Sequence, residues 1–122
     1  RCKNIFFRNH KGNRHYLVIL EHLRQLDIRD LEKRVRQGKL TFASDKRLKE
    51  FLGVEPGSVS PFGLINDKEK HVHLFIDETL KNFDRLAFHP NINTASLVVS
   101  KFDFLKFLEY TGNSYEFIRL YD

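Results

Sequence analysis

The chain has 122 residues, room for one domain, since single cores run to about 100–200 residues. Its 41% hydrophobic and 30% charged residues describe a chain that buries a core rather than a disordered one. A net charge of +5 conceals an asymmetry: residues 1–50 hold 14 Lys/Arg against 6 Asp/Glu, whereas residues 51–122 hold 7 against 10.

No apolar run approaches the ~20 residues that span a bilayer, and Arg1-Cys2-Lys3-Asn4 lacks the basic, apolar, small-residue order of a signal peptide. The single cysteine, Cys2, cannot form an internal disulfide, so the expected compartment is the reducing cytoplasm. Because the sequence opens on Arg1 rather than Met, a preceding segment is expected.

Ile5-Phe6-Phe7 and Tyr16 to Leu20 are β-prone runs flanking the turn formers Asn9 to Asn13, which predicts a hairpin. Asp27 is placed to cap a helix carrying Ile28, Leu31 and Val35 at helical spacing, with Gly38 as its stop. Ser44 caps a second helix, which buries Leu48, Phe51 and Leu52 and ends at Gly53. The stretch Pro56-Gly57-Ser58-Val59-Ser60-Pro61-Phe62-Gly63 breaks all periodicity, and its two prolines and two glycines define a stiff bend. Asp67 to Lys70 reads as a charged turn. From His71 to Ile76 residues alternate as in a half-buried strand, with Val72, Leu74 and Ile76 on one side and His71, His73 and Phe75 on the other. Strands follow at 85–88 and 95–99 around the turn His89 to Thr94. Ser100 caps a helix with Phe104, Leu105 and Leu108 inward that ends at Gly112, and 115–120 is a last strand. The elements predict an α+β single domain over residues 1–122, a mixed, curled β-sheet forming a partial barrel with packed helices.

Several chemistries compete for these residues. Cys2 is a thiol with no neighbouring motif to activate it. His71 and His73 have the spacing of two metal ligands but lack a recognisable third. Hydrolase elbows and phosphate-binding glycine loops are absent. Lys3-Asn4 puts a cation and an amide at the mouth of the sheet, the 57–61 bend can present backbone N–H groups to an anion, and His89-Pro90 with Asn93-Thr94 offers neutral donors and acceptors. Each is equally an ordinary strand end, connection or turn. The basic first half is either a surface for polyanions or the solvated faces of two helices.

Four segments in order change this balance: Cys2-Lys3-Asn4-Ile5-Phe6-Phe7-Arg8, Tyr16-Leu17-Val18, Pro56 to Leu64, and Phe88-His89-Pro90-Asn91-Ile92-Asn93-Thr94-Ala95. Together they resemble the YbaK/prolyl-tRNA-synthetase-associated editing domain family, and within it the freestanding prolyl-tRNA editing proteins of the ProX/PrdX type. The resemblance implies a trans-acting aminoacyl-tRNA deacylase that hydrolyses the ester of mischarged tRNA(Pro), with alanyl ester as the expected substrate. It implies no cofactor and no metal. The implied partners are the acceptor end of tRNA(Pro) and, further, prolyl-tRNA synthetase, with neither membrane nor DNA.

The family's lysine falls on Lys3 and its companion asparagine on Asn4. The Gly-x-x-x-Pro loop falls on Gly57, Ser58, Val59, Ser60 and Pro61, and the pocket turn on His89 through Thr94, with His89, Asn93 and Thr94 reading the amino acid. Lys3 and the 57–60 backbone are the implied catalytic groups; Asn4, Pro61 and the turn are the implied substrate contacts. The family carries a helical segment before the lysine-bearing strand, which this chain is expected to lack. The alternative of a different class is a non-catalytic tRNA-binding or regulatory module on the same fold.

Overall fold

In the computed structural model, which describes residues 1–88 and 96–122, the hairpin forms from β1 (Cys2–Asn9) and β2 (His15–Glu21), antiparallel, with Lys3 opposite Leu20 and Phe7 opposite Tyr16. Its turn closes because the Asn9 side chain accepts from the backbone N–H of Asn13 and Arg14, while Gly12 takes the left-handed φ of 74° that a side chain would oppose. Alternation then gives β1 two characters. Cys2 and Phe6 point into one apolar layer with Leu17 and Ile19; Phe7 points into another with Tyr16, Val18 and Leu20.

Asp27 accepts from the N–H groups of Arg29 and Asp30 and starts α1 (Ile28–Val35), which lays Leu31 and Val35 on the second layer. The helix stops at Arg36, two residues before the expected Gly38, because Arg36 itself takes the left-handed conformation at φ 56°. A short strand that the sequence reading omits, β3 (Leu40–Phe42), pairs antiparallel with Phe7–Asn9. Three residues are too few for alternation to register. Ser44 caps α2 (Asp45–Leu52), whose Leu48 and Leu52 join the first layer.

β4 (His73–Asp77) is parallel to β2 on one side and to β7 (Tyr115–Ile118) on the other, giving a mixed sheet in the order β3-β1-β2-β4-β7. As a central strand β4 is covered on both faces, so Phe75 is as buried as Leu74 and the half-buried expectation is corrected. The charged turn before it is anchored by the buried Asp67, which accepts from the N–H groups of His71 and Val72 and from Asn113 Nδ2.

β5 (Arg85–Phe88) and β6 (Leu97–Ser100) make a separate antiparallel pair, and Ser100 caps α3 (Lys101–Thr111), which packs Phe104 and Leu108 into the first layer. The α+β class and the mixed sheet agree with the sequence reading. The five-stranded sheet remains open, with β3 and β7 at its edges.

Candidate functional site

β3 pairs only with residues 7–9 of β1, and among the described residues no strand is hydrogen-bonded into the sheet beside the first half of β1 on that side. Cys2, Lys3 and Asn4 lie on this open stretch. Asn4 sits opposite Ile19 and so faces the first layer between Cys2 and Phe6. Its Oδ1 is buried and accepts no hydrogen bond. An amide oxygen left in this state costs about 1–3 kcal/mol, a cost that a bound donor removes. The other buried orphan oxygen among the described residues is Asn113 Oδ1, but its amide nitrogen donates to both Asp67 Oδ2 and the Val72 carbonyl. Asn4 has no such anchorage.

Cys2 is 5% exposed, and burial pushes its thiol up to about 11, with the positive chain terminus and the Ala87 backbone acting the other way. It therefore stays protonated at neutral pH and is no nucleophile. Lys3 faces the opposite side of the sheet from Asn4, because consecutive strand residues alternate. Its Nζ donates to the Arg24 carbonyl at 3.0 Å, a neutral partner that leaves the positive charge uncompensated. The sequence reading sets Lys3 and Asn4 side by side at one mouth; the strand separates them.

The proline-bounded bend forms two 3-10 helices, over Pro56–Ser58 and Pro61–Asn66. Ser58 N–H is already committed to the Glu55 carbonyl at 2.9 Å, so it is unavailable to an anion. The Ser60 hydroxyl accepts from Phe62 N–H and is buried. Pro61 is buried, and Gly63 is required by space: a Cβ there would stand 2.7 Å from the Leu52 carbonyl oxygen. Phe62 meets Phe88, the last residue of β5, edge to face at 5.6 Å between ring centres. The bend thus packs at the C-terminal end of β5, on the sheet face that carries Asn4. Among the described residues no hydrogen bond or ion pair joins Lys3 to the bend. His89, Asn93 and Thr94 lie outside the described residues.

A second polar centre, which the sequence reading missed, lies at the opposite end of the hairpin. His15 is 1% exposed, stacked on Phe6 and against Phe51. Its Nε2 lies 2.9 Å from Arg47 Nη1 and its Nδ1 2.9 Å from His71 Nε2. A guanidinium only donates, so Nε2 accepts and the ring proton sits on Nδ1, directed at His71. Burial, then His71 and Arg47, pull the His15 imidazole down to about 4 and hold it neutral. His73 goes elsewhere, to Ser114 Oγ at 2.6 Å and Glu116 at 2.9 Å. The two histidines weighed as a metal pair therefore serve different partners, and no group of three His, Cys, Asp or Glu among the described residues is placed to hold a metal.

The family model described as "Aminoacyl-tRNA editing domain" matches residues 1–107. The chain belongs to the aminoacyl-tRNA editing domain family. It is 38% identical over 118 residues to the Prolyl-tRNA editing protein ProX of Acetoanaerobium sticklandii, covering 97% of this chain and 72% of that protein. It is 33% identical over 115 residues to the Prolyl-tRNA synthetase associated domain-containing protein 1 of Bos taurus, covering 91% and 67%. A solved structure of a candidate trans-editing enzyme for prolyl tRNA synthetase shares the fold at a TM-score of 0.68 and 21% identity, over 97% of this chain and 69% of that one.

The editing-domain match spans Lys3, Asn4, the 57–61 bend, residues 89–94 and the His15, Arg47 and His71 cluster, and ends before β7, so Ser114 and Glu116 lie beyond it. Among the described residues no helix is long and apolar enough to cross a membrane.

Proposed function

We propose that this editing-domain protein is a trans-acting deacylase for mischarged tRNA(Pro), with Ala-tRNA(Pro) as its substrate. The observation that carries the reading is 38% identity over nearly the whole chain to a protein named for prolyl-tRNA editing. The site's chemistry is compatible with it. Ester hydrolysis adds water to the acyl carbonyl, passes through a tetrahedral oxyanion, and releases the amino acid and a free ribose hydroxyl. It needs a placed water and a stabilised oxyanion, not a side-chain nucleophile, and the buried thiol of Cys2 supplies none.

In this reading Lys3 contributes its uncompensated charge to the 3′-terminal phosphate, an electrostatic role. Asn4 Oδ1 accepts from the α-ammonium or a ribose hydroxyl of the substrate and so loses its orphan state. The N–H groups of Gly57, Val59 and Ser60 stand for the oxyanion, each preorganised donor contributing about 3–4 kcal/mol; Ser58 is removed from that set by its bond to Glu55. Pro61 stiffens the bend, and His89, Asn93 and Thr94 limit the size of the amino acid. A pocket that fits a methyl side chain rejects the pyrrolidine ring by overlap, whereas lost methylene contacts alone give only ~1–3 kcal/mol. The compartment is the cytoplasm, and prolyl-tRNA synthetase is the partner that supplies tRNA identity.

The test is a deacylation panel with Ala-, Cys-, Ser- and Pro-tRNA(Pro). The expected result is fast loss of the alanyl ester with the prolyl ester spared; an intact alanyl ester overturns the assignment. One observation favours a second reading: Lys3 and the bend occupy different faces of the sheet, as a tRNA-binding module without turnover would permit. That module binds tRNA in a salt-sensitive way and leaves every ester in the panel intact.

A further inference from the structure

The turn of the hairpin and the segment between α1 and β3 face each other across a groove of about 530 Å³. Its lining holds the cations Lys11, Arg14, Arg36 and Lys39 with the amides of Asn13 and Gln37, and no carboxylate. Lys11, Arg36 and Lys39 are exposed, and their side chains make no ion pair or hydrogen bond among the described residues. Like charges gathered without a counter-charge repel one another, a cost that an anionic ligand relieves. Arg36 adds a second cost, since it occupies a left-handed backbone position at φ 56° where glycine is the unstrained choice.

Both walls are fixed. Asn9 clasps Asn13 and Arg14, Arg47 donates to the Gly12 carbonyl at 2.9 Å, and Glu32 accepts from Leu40 N–H at 2.6 Å. A rigid trough in which Lys11, Arg36 and Lys39 lack partners among the described residues, with the amides of Asn13 and Gln37 beside them, is complementary to a polyphosphate backbone, read without regard to sequence.

We infer that this groove docks the sugar–phosphate backbone of the tRNA body, an inference that rests on the tRNA reading above. At about 3.3 Å per strand residue, the turn stands roughly 20 Å from Lys3 along β1. That is roughly six stacked nucleotides at about 3.4 Å each, so the groove meets the backbone inward of the acylated end. The basic bias of the first half of the chain is then a docking surface, separate from the groups that face the ester.

The experiment measures binding of uncharged tRNA by the full chain across a salt series, for the wild type and for the variant Lys11→Ala/Arg36→Gly/Lys39→Ala. Arg36→Gly relaxes the left-handed position, so thermal unfolding of the variant should not drop, and a binding loss is not a folding loss. The expected result is a weakening of roughly tenfold or more near physiological salt, with the log–log salt slope reduced by about 2–3. A control, Arg29→Ala/Lys33→Ala/Lys46→Ala, removes the same charge from the outer faces of α1 and α2 and should move the slope less. A wild-type slope in the groove variant, or an equal fall in the control, overturns the inference. Because uncharged tRNA is used, this outcome is independent of whether any ester is cleaved, and failure of the deacylase reading is seen separately in the panel.

Discussion

The two ends of the β1–β2 hairpin handle polarity in opposite ways. At the turn end the buried His15 is fully partnered, by Arg47 on one nitrogen and His71 on the other, while the unpartnered charges stand outside in the groove. At the open end the unpartnered group is inside: Asn4 Oδ1 is buried with no donor among the described residues, beside a thiol kept protonated by burial. A satisfied interior with unsatisfied surface charge is the arrangement of a docking platform. An unsatisfied interior beside a strand edge that no described strand pairs with is the arrangement of a binding site, where the missing partner comes with the ligand.

The sharpest way to break this contrast is Asn4→Leu. If the orphan oxygen is held for substrate, deacylation of Ala-tRNA(Pro) falls roughly 10–100-fold while the fold gains about 1 kcal/mol in urea unfolding, because the buried unpaired group is gone. A loss of both activity and stability would place Asn4 among ordinary structural residues.

At the other end, His15 tests whether the interior really is satisfied by neutral partners. Folding holds it well below an ordinary histidine, so the unfolded chain binds the extra proton. Stability is then complete above about pH 6.5 and declines as the pH drops toward 4, by about 2–3 kcal/mol. His15→Phe keeps the stack on Phe6 and Phe51 and should flatten that decline; an unchanged profile assigns it to other groups.

The smallest effect concerns the bend. Gly63→Ala drives a methyl into the Leu52 carbonyl and should cost about 1–3 kcal/mol, with the packing of Phe62 on Phe88 loosened in step. If the variant is as stable as the wild type, the bend does not depend on this close approach.

Much of this was legible in the sequence where a local signal exists. Asp27, Ser44 and Ser100 each accept from the first-turn N–H groups of the helix they were read to cap, and the 85–88 strand matches the structure. The misreadings have physical causes. Gly38 drew the end of α1 because glycine is the usual left-handed residue, yet Arg36 takes that position. β3 is shorter than its own period.

At the open end, strand parity alone separates Lys3 from Asn4, so treating them as neighbours overlooked a rule the sequence already carried. His15 was legible in the same way, as a polar residue two positions before Leu17 on a core-facing parity. Its link to His71 was not, because it depends on β2 lying parallel beside β4, a pairing between residues 57 apart with no local trace.

Whether Lys3 serves ester hydrolysis is decided by single-turnover hydrolysis of Ala-tRNA(Pro) with the protein in excess, for the wild type and Lys3→Ala. The wild type is expected to clear the ester rapidly, and the variant to be slower by about 10²-fold or more without a matching change in thermal unfolding. An ester that outlasts the wild-type protein, or a variant as fast as its parent, would contradict that role.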